Sequence, residues 1–75
     1  SMENFNVLVN ALKADELINV RLFNETGQLL YSKSVKLNSG INTVQLKTES
    51  LANGVYLIQV SGDNRVNRMK KCIKE

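Results

Sequence analysis

The stretch Leu51-Ala52-Asn53-Gly54-Val55-Tyr56-Leu57-Ile58-Gln59-Val60 decides the fold of this 75-residue chain. Its spacing, Leu-x-x-Gly-x-Tyr followed by alternating apolar residues, is typical of a corner between two sheets, where a tyrosine ties its hydroxyl group to the nearby backbone. We expect Leu51 to fill the core, Gly54 to permit the turn, and Tyr56 to bury its ring while its hydroxyl group finds a partner. The stretch therefore predicts a corner that leads into a strand.

Apolar and polar residues alternate along most of the chain, which is the period of two expected of half-buried strands. Besides Tyr56, Ile58 and Val60, the residues predicted to line core faces are Phe5, Val7, Val9 and Ala11, then Ile18, Val20 and Leu22, then Leu29, Tyr31, Val35 and Leu37, then Val44 and Leu46. Lys33 interrupts the third run. The last run, near Val66 to Ile73, slips in phase around Arg68-Met69, as a β-bulge would cause.

Turn signals separate these runs. The hairpin turns that we predict are Asn24-Glu25-Thr26-Gly27, Asn38-Ser39-Gly40 and Ser61-Gly62-Asp63-Asn64, and we interpret Asn53-Gly54 as the sheet-to-sheet corner. Residues 11–18 and 48–52 could form helical turns, with Thr48 as a cap, but both are too short to be stable without tertiary support, so we treat them as connections. The predicted fold class is all-β, an immunoglobulin-like antiparallel β-sandwich of about six to seven strands.

The length allows one domain, which we place at residues 3–75. Ser1-Met2 is typical of the remnant that tag removal leaves, and the start of the chain lacks the pattern of a signal peptide. No apolar run approaches the roughly 18 residues of a membrane span.

The residue types needed for catalysis are missing. The chain has no histidine, so neither a Ser-His nor a Cys-His pair can form. Asp15 and Glu16 are adjacent, which would send them to opposite faces of a strand, and each of the four glycines is solitary. Cys72 is the single cysteine and lies among apolar neighbours, where we expect it to act as a small hydrophobe. We predict a protein that is not an enzyme and has no metal site and no cofactor.

Half of the ten basic residues lie in residues 65–75. This basic end could bind a polyanion, but nucleic-acid surfaces usually add stacking aromatic rings, and most of the rings here lie on predicted core faces. Only Phe23 is predicted to face outward, and one ring without any tryptophan makes no platform for a sugar. The alternative interpretation is that lysines on a terminal strand keep an exposed edge from pairing with other chains. We predict no nucleic-acid partner and no membrane insertion.

The order of the motifs resembles one known family, the C-terminal sorting domain of the type IX secretion system of Bacteroidetes, also called the Por secretion system sorting domain, in its type A-like form. The motifs that carry the resemblance are residues 18–27, 28–31, 40–46, 51–60 and 70–75. Two departures stand out: the family usually has an aspartate where this chain has Asn24, and its upstream Pro-Asn-Pro element is missing from this proline-free chain.

The resemblance implies a domain that directs a covalently attached cargo protein through the periplasm to the cell surface or outside the cell. Its implied partners are the outer-membrane export machinery and a sortase-like peptidase that can join the cargo to an anionic lipopolysaccharide. Carried over from the family, the recognition segment is Lys70, Lys71, Cys72, Ile73 and Lys74, and the fold-determining motif is Gly27, Leu51, Gly54 and Tyr56. The alternative is an immunoglobulin-like structural spacer or adhesion module of a surface protein, also without catalysis.

Overall fold

The computed structural model describes residues 4–62 and 65–75 as two antiparallel sheets. The six strands are β1 (Phe5–Ala11), β2 (Glu16–Asn24), β3 (Leu29–Leu37), β4 (Gly40–Leu46), β5 (Gly54–Gly62) and β6 (Arg65–Lys74). One sheet pairs β1 with β4, and the other has the order β3-β2-β5-β6. The prediction of an all-β antiparallel sandwich is confirmed. The interpretation of Ser1-Met2 as a tag remnant lies outside the described residues.

The core lies between the two sheets and follows the predicted alternation. The small sheet contributes Val9, Ala11, Val44 and Leu46, and the large sheet contributes Ile18, Val20, Leu22, Leu37, Tyr56 and Ile58. The rings of Phe5 and Tyr56 have centroids 6.1 Å apart and planes tilted by 60°, which joins β1 to β5 across the core. Burial of these side chains is the main source of stability, since the chain has no disulfide.

The first predicted hairpin turn, between β2 and β3, is confirmed. The Asn24 Oδ1 atom accepts hydrogen bonds from the Gln28 amide at 2.9 Å, from the Thr26 hydroxyl group at 2.7 Å and from the Thr26 amide at 3.2 Å. Gly27, at a φ of 90°, donates its amide to the Asn24 carbonyl oxygen at 3.0 Å. A side chain with a β-branch or bulk would be strained at that φ, so the turn depends on glycine.

The second predicted hairpin, at residues 38–40, is wrong, because β3 and β4 belong to different sheets. The side chain of Asn42 bridges this connection instead: its Oδ1 accepts from the Asn38 amide at 2.9 Å, and its Nδ2 donates to the Asn38 carbonyl oxygen at 2.8 Å. The chain therefore turns a corner here. The predicted corner before Gly54 is confirmed, since β4 and β5 also belong to different sheets.

The predicted third hairpin joins β5 to β6, which do pair as antiparallel neighbours. Gly62 closes β5, while Asp63 and Asn64 lie outside the described residues. The connections at 12–15 and 47–53 contain no helix, and the described part of the chain has no helix of the length and hydropathy that a membrane span requires.

The prediction for β3 is wrong at its start, where Leu29 is 51% and Tyr31 36% exposed. A register shift between Leu22 and Phe23 places Leu29 opposite Phe23, on the outer face of the sheet. Tyr31 shares the inner face with its partner Leu22, but β3 is an edge strand, and burial increases only toward Leu37.

The predicted phase slip in the last strand exists but lies a little earlier. The register shift between β5 and β6 falls between the pairs Val60–Arg68 and Gly62–Arg65, and the pairing is regular from Arg68 onward. The strand that contains the basic segment therefore pairs without a register shift over its last seven residues.

Candidate functional site

The strand β6, which holds the sequence-predicted recognition segment, is an edge strand that pairs only with β5 among the described strands. In this ladder, Lys70 lies opposite Ile58, Lys71 opposite Leu57, Cys72 opposite Tyr56, and Ile73 opposite Val55. Residues directly opposite each other in a ladder share a face, and Tyr56 and Ile58 are buried. The recognition segment is therefore split: Lys70, Cys72 and Lys74 lie on the inner face, and Lys71 and Ile73 lie on the outer face.

Lys74 is buried, with only 3% of its surface exposed. Its ammonium group donates to the carbonyl oxygens of Thr48 and Leu51, the latter at 2.7 Å. A buried charge is tolerated only when it is well hydrogen-bonded, and these two carbonyl groups belong to the single turn that precedes β5. Lys74 thus fastens the end of β6 to the corner, and it presents no charge to a partner. The alternation of side chains along β6 indicates that Lys74 lies on the inner face, because it shares that face with Cys72.

Cys72 is half-buried and packs against the core. Burial raises the pKa of its thiol, and the neighbouring ammonium group of Lys70 opposes that rise. A thiol with a raised pKa is a poor nucleophile near neutral pH. The position is consistent with the structural role that we predicted for this residue.

The outer face of the large sheet carries a group of side chains that we call the outer patch. It consists of Arg21 and Phe23 on β2, Leu57 on β5, and Met69, Lys71 and Ile73 on β6. Met69 is 56% and Ile73 60% exposed, and Phe23 and Leu57 are half-buried opposite each other. The Arg21 guanidinium group is directed along this face by a 3.4 Å hydrogen bond to the Gln59 Oε1 atom. The prediction that Phe23 faces outward is confirmed.

The fold-determining motif occupies the positions that the sequence predicted. The Tyr56 hydroxyl group donates to the Ala52 carbonyl oxygen at 2.5 Å, which closes the corner. Leu51 packs half-buried against the core, and Gly27 and Gly54 both have positive φ angles. These positions agree with the predicted role of the four residues in the fold.

The ion pair between Glu16 and Arg65 was not predicted from the sequence. Glu16, at the start of β2, binds the guanidinium group of Arg65, at the start of β6, through both carboxylate oxygens, and the Nη2–Oε1 distance is 3.0 Å. Arg65 also donates to the Asn10 carbonyl oxygen of β1, so it links the two sheets. These residues line a shallow cleft beside the 12–15 connection. Because Glu16 and Arg65 satisfy each other, the cleft offers no built site for a charged ligand.

Within the described ranges, no group of three or more His, Cys, Asp and Glu side chains is arranged to hold a metal ion. The feature that the sequence predicted as a recognition segment is, in the structure, a cationic and apolar terminal strand at the edge of the large sheet.

Comparison with known proteins identifies the family of the chain. The family model described as "Secretion system C-terminal sorting domain" matches residues 1–75. No curated protein and no solved structure matches the chain.

Proposed function

Because the chain belongs to the family of secretion system C-terminal sorting domains, we propose that the terminal strand β6 is the part of the domain that the export machinery reads. The domain is a sorting signal for type IX secretion, and a protein that carries it is exported to the cell surface or secreted. We propose further that the domain is type A-like and belongs to a Bacteroidetes protein. It acts through recognition by the outer-membrane export machinery and catalyses no reaction.

The single observation that carries the proposal is the exposure of the basic residues along an edge strand. Lys70 and Lys71 are both exposed, and β6 has β5 as its only neighbour among the described strands. Cations on an otherwise apolar terminal strand can both prevent unwanted pairing with other chains and attract an acidic receptor. After export, a sortase-like peptidase would remove the domain from its cargo.

Two observations support the proposal that the domain acts without catalysis. The sequence has no histidine, and, among the described residues, the partly buried carboxylate of Glu16 is engaged by Arg65. A spacer or adhesion module is not favoured, because the match to the sorting family extends over the whole chain.

The test fuses residues 3–75 to a reporter that folds in the periplasm of a host with type IX secretion. Deleting residues 65–75 would also remove Lys74 and uncover Tyr56 and Ile58, so charge reversal is the cleaner change. The double variant Lys70→Glu, Lys71→Glu is compared with Lys13→Glu, Lys47→Glu, which changes the net charge equally at two exposed positions outside β6.

We expect the β6 double variant to lower the secreted fraction by about tenfold, the change that loss of about 1.4 kcal/mol of binding produces. The control pair should secrete like the parent fusion. Normal secretion of a folded β6 double variant, or failure of the unmodified domain to export the reporter, would refute the proposal.

A further inference from the structure

The outer patch combines residues that are distant in sequence but adjacent in the sheet. Leu57 of β5 lies between Phe23 of β2 and Lys71 of β6. Gln59, two residues further along β5 and on the same face, lies between Arg21 and Met69. Cross-strand neighbours of this kind have Cβ atoms about 4.5–5.5 Å apart, so their side chains form one continuous surface. A linear signal in the last residues would not need this arrangement.

The charged strand residues of this face are all basic, although Lys36 is paired with Asp15 at 3.5 Å. The charged strand residues that the register places on the outer face of the large sheet are Arg21, Lys36 and Lys71, and Glu75 follows β6 outside the paired ladder. Apolar side chains surround Lys71 on the strand and its neighbour: Met69, Ile73 and Leu57. Aromatic residues, Met and Arg are the types enriched in protein interfaces, and all three occur here.

We propose that the outer patch is the docking surface for a protein component of the export machinery that presents carboxylates to Lys71 and Arg21 and apolar side chains to the residues between them. This inference rests on the proposed function and deepens it, because it assigns recognition to one face of β6 and extends it to β2. On this basis Lys71 and Ile73 make the contacts, Lys70 contributes only long-range attraction, and Lys74 supports the strand from inside.

A protein partner suits the surface better than a membrane does. Attachment to anionic lipid typically takes a cluster of about four to eight Lys and Arg residues, whereas the described strands place three on this face. Phe23 and Leu57 are half-buried in the sheet, so they project less than the apolar side chains of an amphipathic helix that lies in a bilayer interface. They can pack against the flat surface of another protein.

The test uses the same reporter fusion with single variants in matched pairs. Lys71→Glu on the outer face is compared with Lys70→Glu on the inner face. Ile73→Asp is compared with Ile41→Asp, which changes an exposed isoleucine of β4 on the other sheet, and Arg21→Glu is compared with Lys47→Glu. Each purified domain is first checked by thermal unfolding, so that only folded variants are scored.

We expect Lys71→Glu, Ile73→Asp and Arg21→Glu each to lower secretion by about tenfold, as substitutions at the centre of an interface do. Lys70→Glu should lower the secreted fraction distinctly less, and Ile41→Asp and Lys47→Glu should leave it unchanged. Normal secretion of Arg21→Glu and Ile73→Asp would overturn the inference while leaving the proposed function standing, provided that the β6 double variant still fails. Binding of the domain to phosphatidylglycerol vesicles that is lost in Arg21→Glu and Lys71→Glu would overturn it in favour of a lipid partner.

Discussion

The Nζ atom of Lys74 lies 2.7 Å from the carbonyl oxygen of Leu51, so the last residue of β6 is bound to the corner that starts β5. Replacing Lys74 by alanine removes the donor from two carbonyl groups at a buried position. We expect Lys74→Ala to lower the free energy of unfolding by about 2 kcal/mol, as for hydrogen bonds with a charged partner. Urea unfolding measures this. Lys71→Ala, at an exposed position of the same strand, should stay within about 0.5 kcal/mol of the parent. Equal stability of the two variants would contradict the structural role of Lys74.

The hydroxyl group of Tyr56 can be removed without disturbing its ring. We expect Tyr56→Phe to lower the free energy of unfolding by about 1 kcal/mol, because the Ala52 carbonyl oxygen loses its donor. Tyr31→Phe is the matched control, since Tyr31 is 36% exposed at the sheet edge, and it should change stability by less than about 0.5 kcal/mol. If Tyr31→Phe lowered the free energy of unfolding as much as Tyr56→Phe does, the hydrogen bond at the corner would not be the source of the stability difference.

The side chain of Asn24 organises the turn between β2 and β3 through its oxygen atom, which accepts three hydrogen bonds. A carboxylate can accept the same bonds and loses only the exposed donation from Asn24 Nδ2 to Gln28 Oε1 at 3.1 Å, so we expect Asn24→Asp to keep the unfolding free energy within about 0.5 kcal/mol. Asn24→Ala removes all three and should cost about 1 kcal/mol. Asparagine can therefore stand where the resemblance to the sorting domains leads us to expect aspartate. The explanation fails if Asn24→Asp is as unstable as Asn24→Ala in urea unfolding.

The Glu16–Arg65 pair should contribute more to stability than the second ion pair of the described residues, Lys36–Asp15. The side chains of Glu16 and Arg65 are 17% and 24% exposed, whereas those of Lys36 and Asp15 are 66% and 75% exposed. Double-mutant cycles with neutral substitutions should give a coupling of about 1 kcal/mol or more for the first pair and below about 0.5 kcal/mol for the second. Equal couplings would contradict the larger contribution that we expect from the less exposed Glu16–Arg65 pair.

The thiol of Cys72 offers a pH-dependent readout of the fold. Because burial raises its pKa, the folded chain keeps the thiol protonated at pH values where the unfolded chain has begun to lose the proton. The stability that Cys72 contributes is therefore complete below the unfolded pKa and falls as the pH rises through the folded value. Alkylation by iodoacetamide should follow a profile displaced to higher pH relative to the urea-unfolded chain. Lys70→Gln, which removes the cation that lowers the pKa, should displace the profile further upward. A profile identical to that of the unfolded chain would contradict the burial of Cys72.

Much of the fold could be predicted because alternation reports directly which side chains face the core. Val9, Val20, Leu46 and Ile58 are all buried as expected. Alternation does not report which strands are neighbours, and this is why the connection at residues 38–40 was wrongly predicted to be a hairpin. Nor does it report how far the opposite sheet extends. Tyr31 has the correct face and is still exposed, because β3 is at the edge of the larger sheet.

The candidate site was only partly predictable for a related reason. The sequence identified the basic segment of β6, but a list of consecutive residues hides the fact that Lys70 and Lys71 face opposite sides. The partners that give the segment its surroundings, Phe23 and Leu57 for Lys71 and the turn carbonyls for Lys74, come from other parts of the chain. Only the register of β2, β5 and β6 brings them together.

The pairing of the strands also has a kinetic consequence. β1 pairs with β4 and β2 pairs with β5, so Phe5 must find Leu46, and Asn24 must find Tyr56. Contacts of such long sequence separation make β-sandwiches fold in about milliseconds to seconds, rather than microseconds. The small sheet needs β4, but the large sheet cannot be completed before β6 has left the ribosome, and synthesis proceeds at about 5–20 residues per second. In a protein that ends with this domain, the cargo is therefore synthesised first, and the sorting domain reaches its recognisable folded form last.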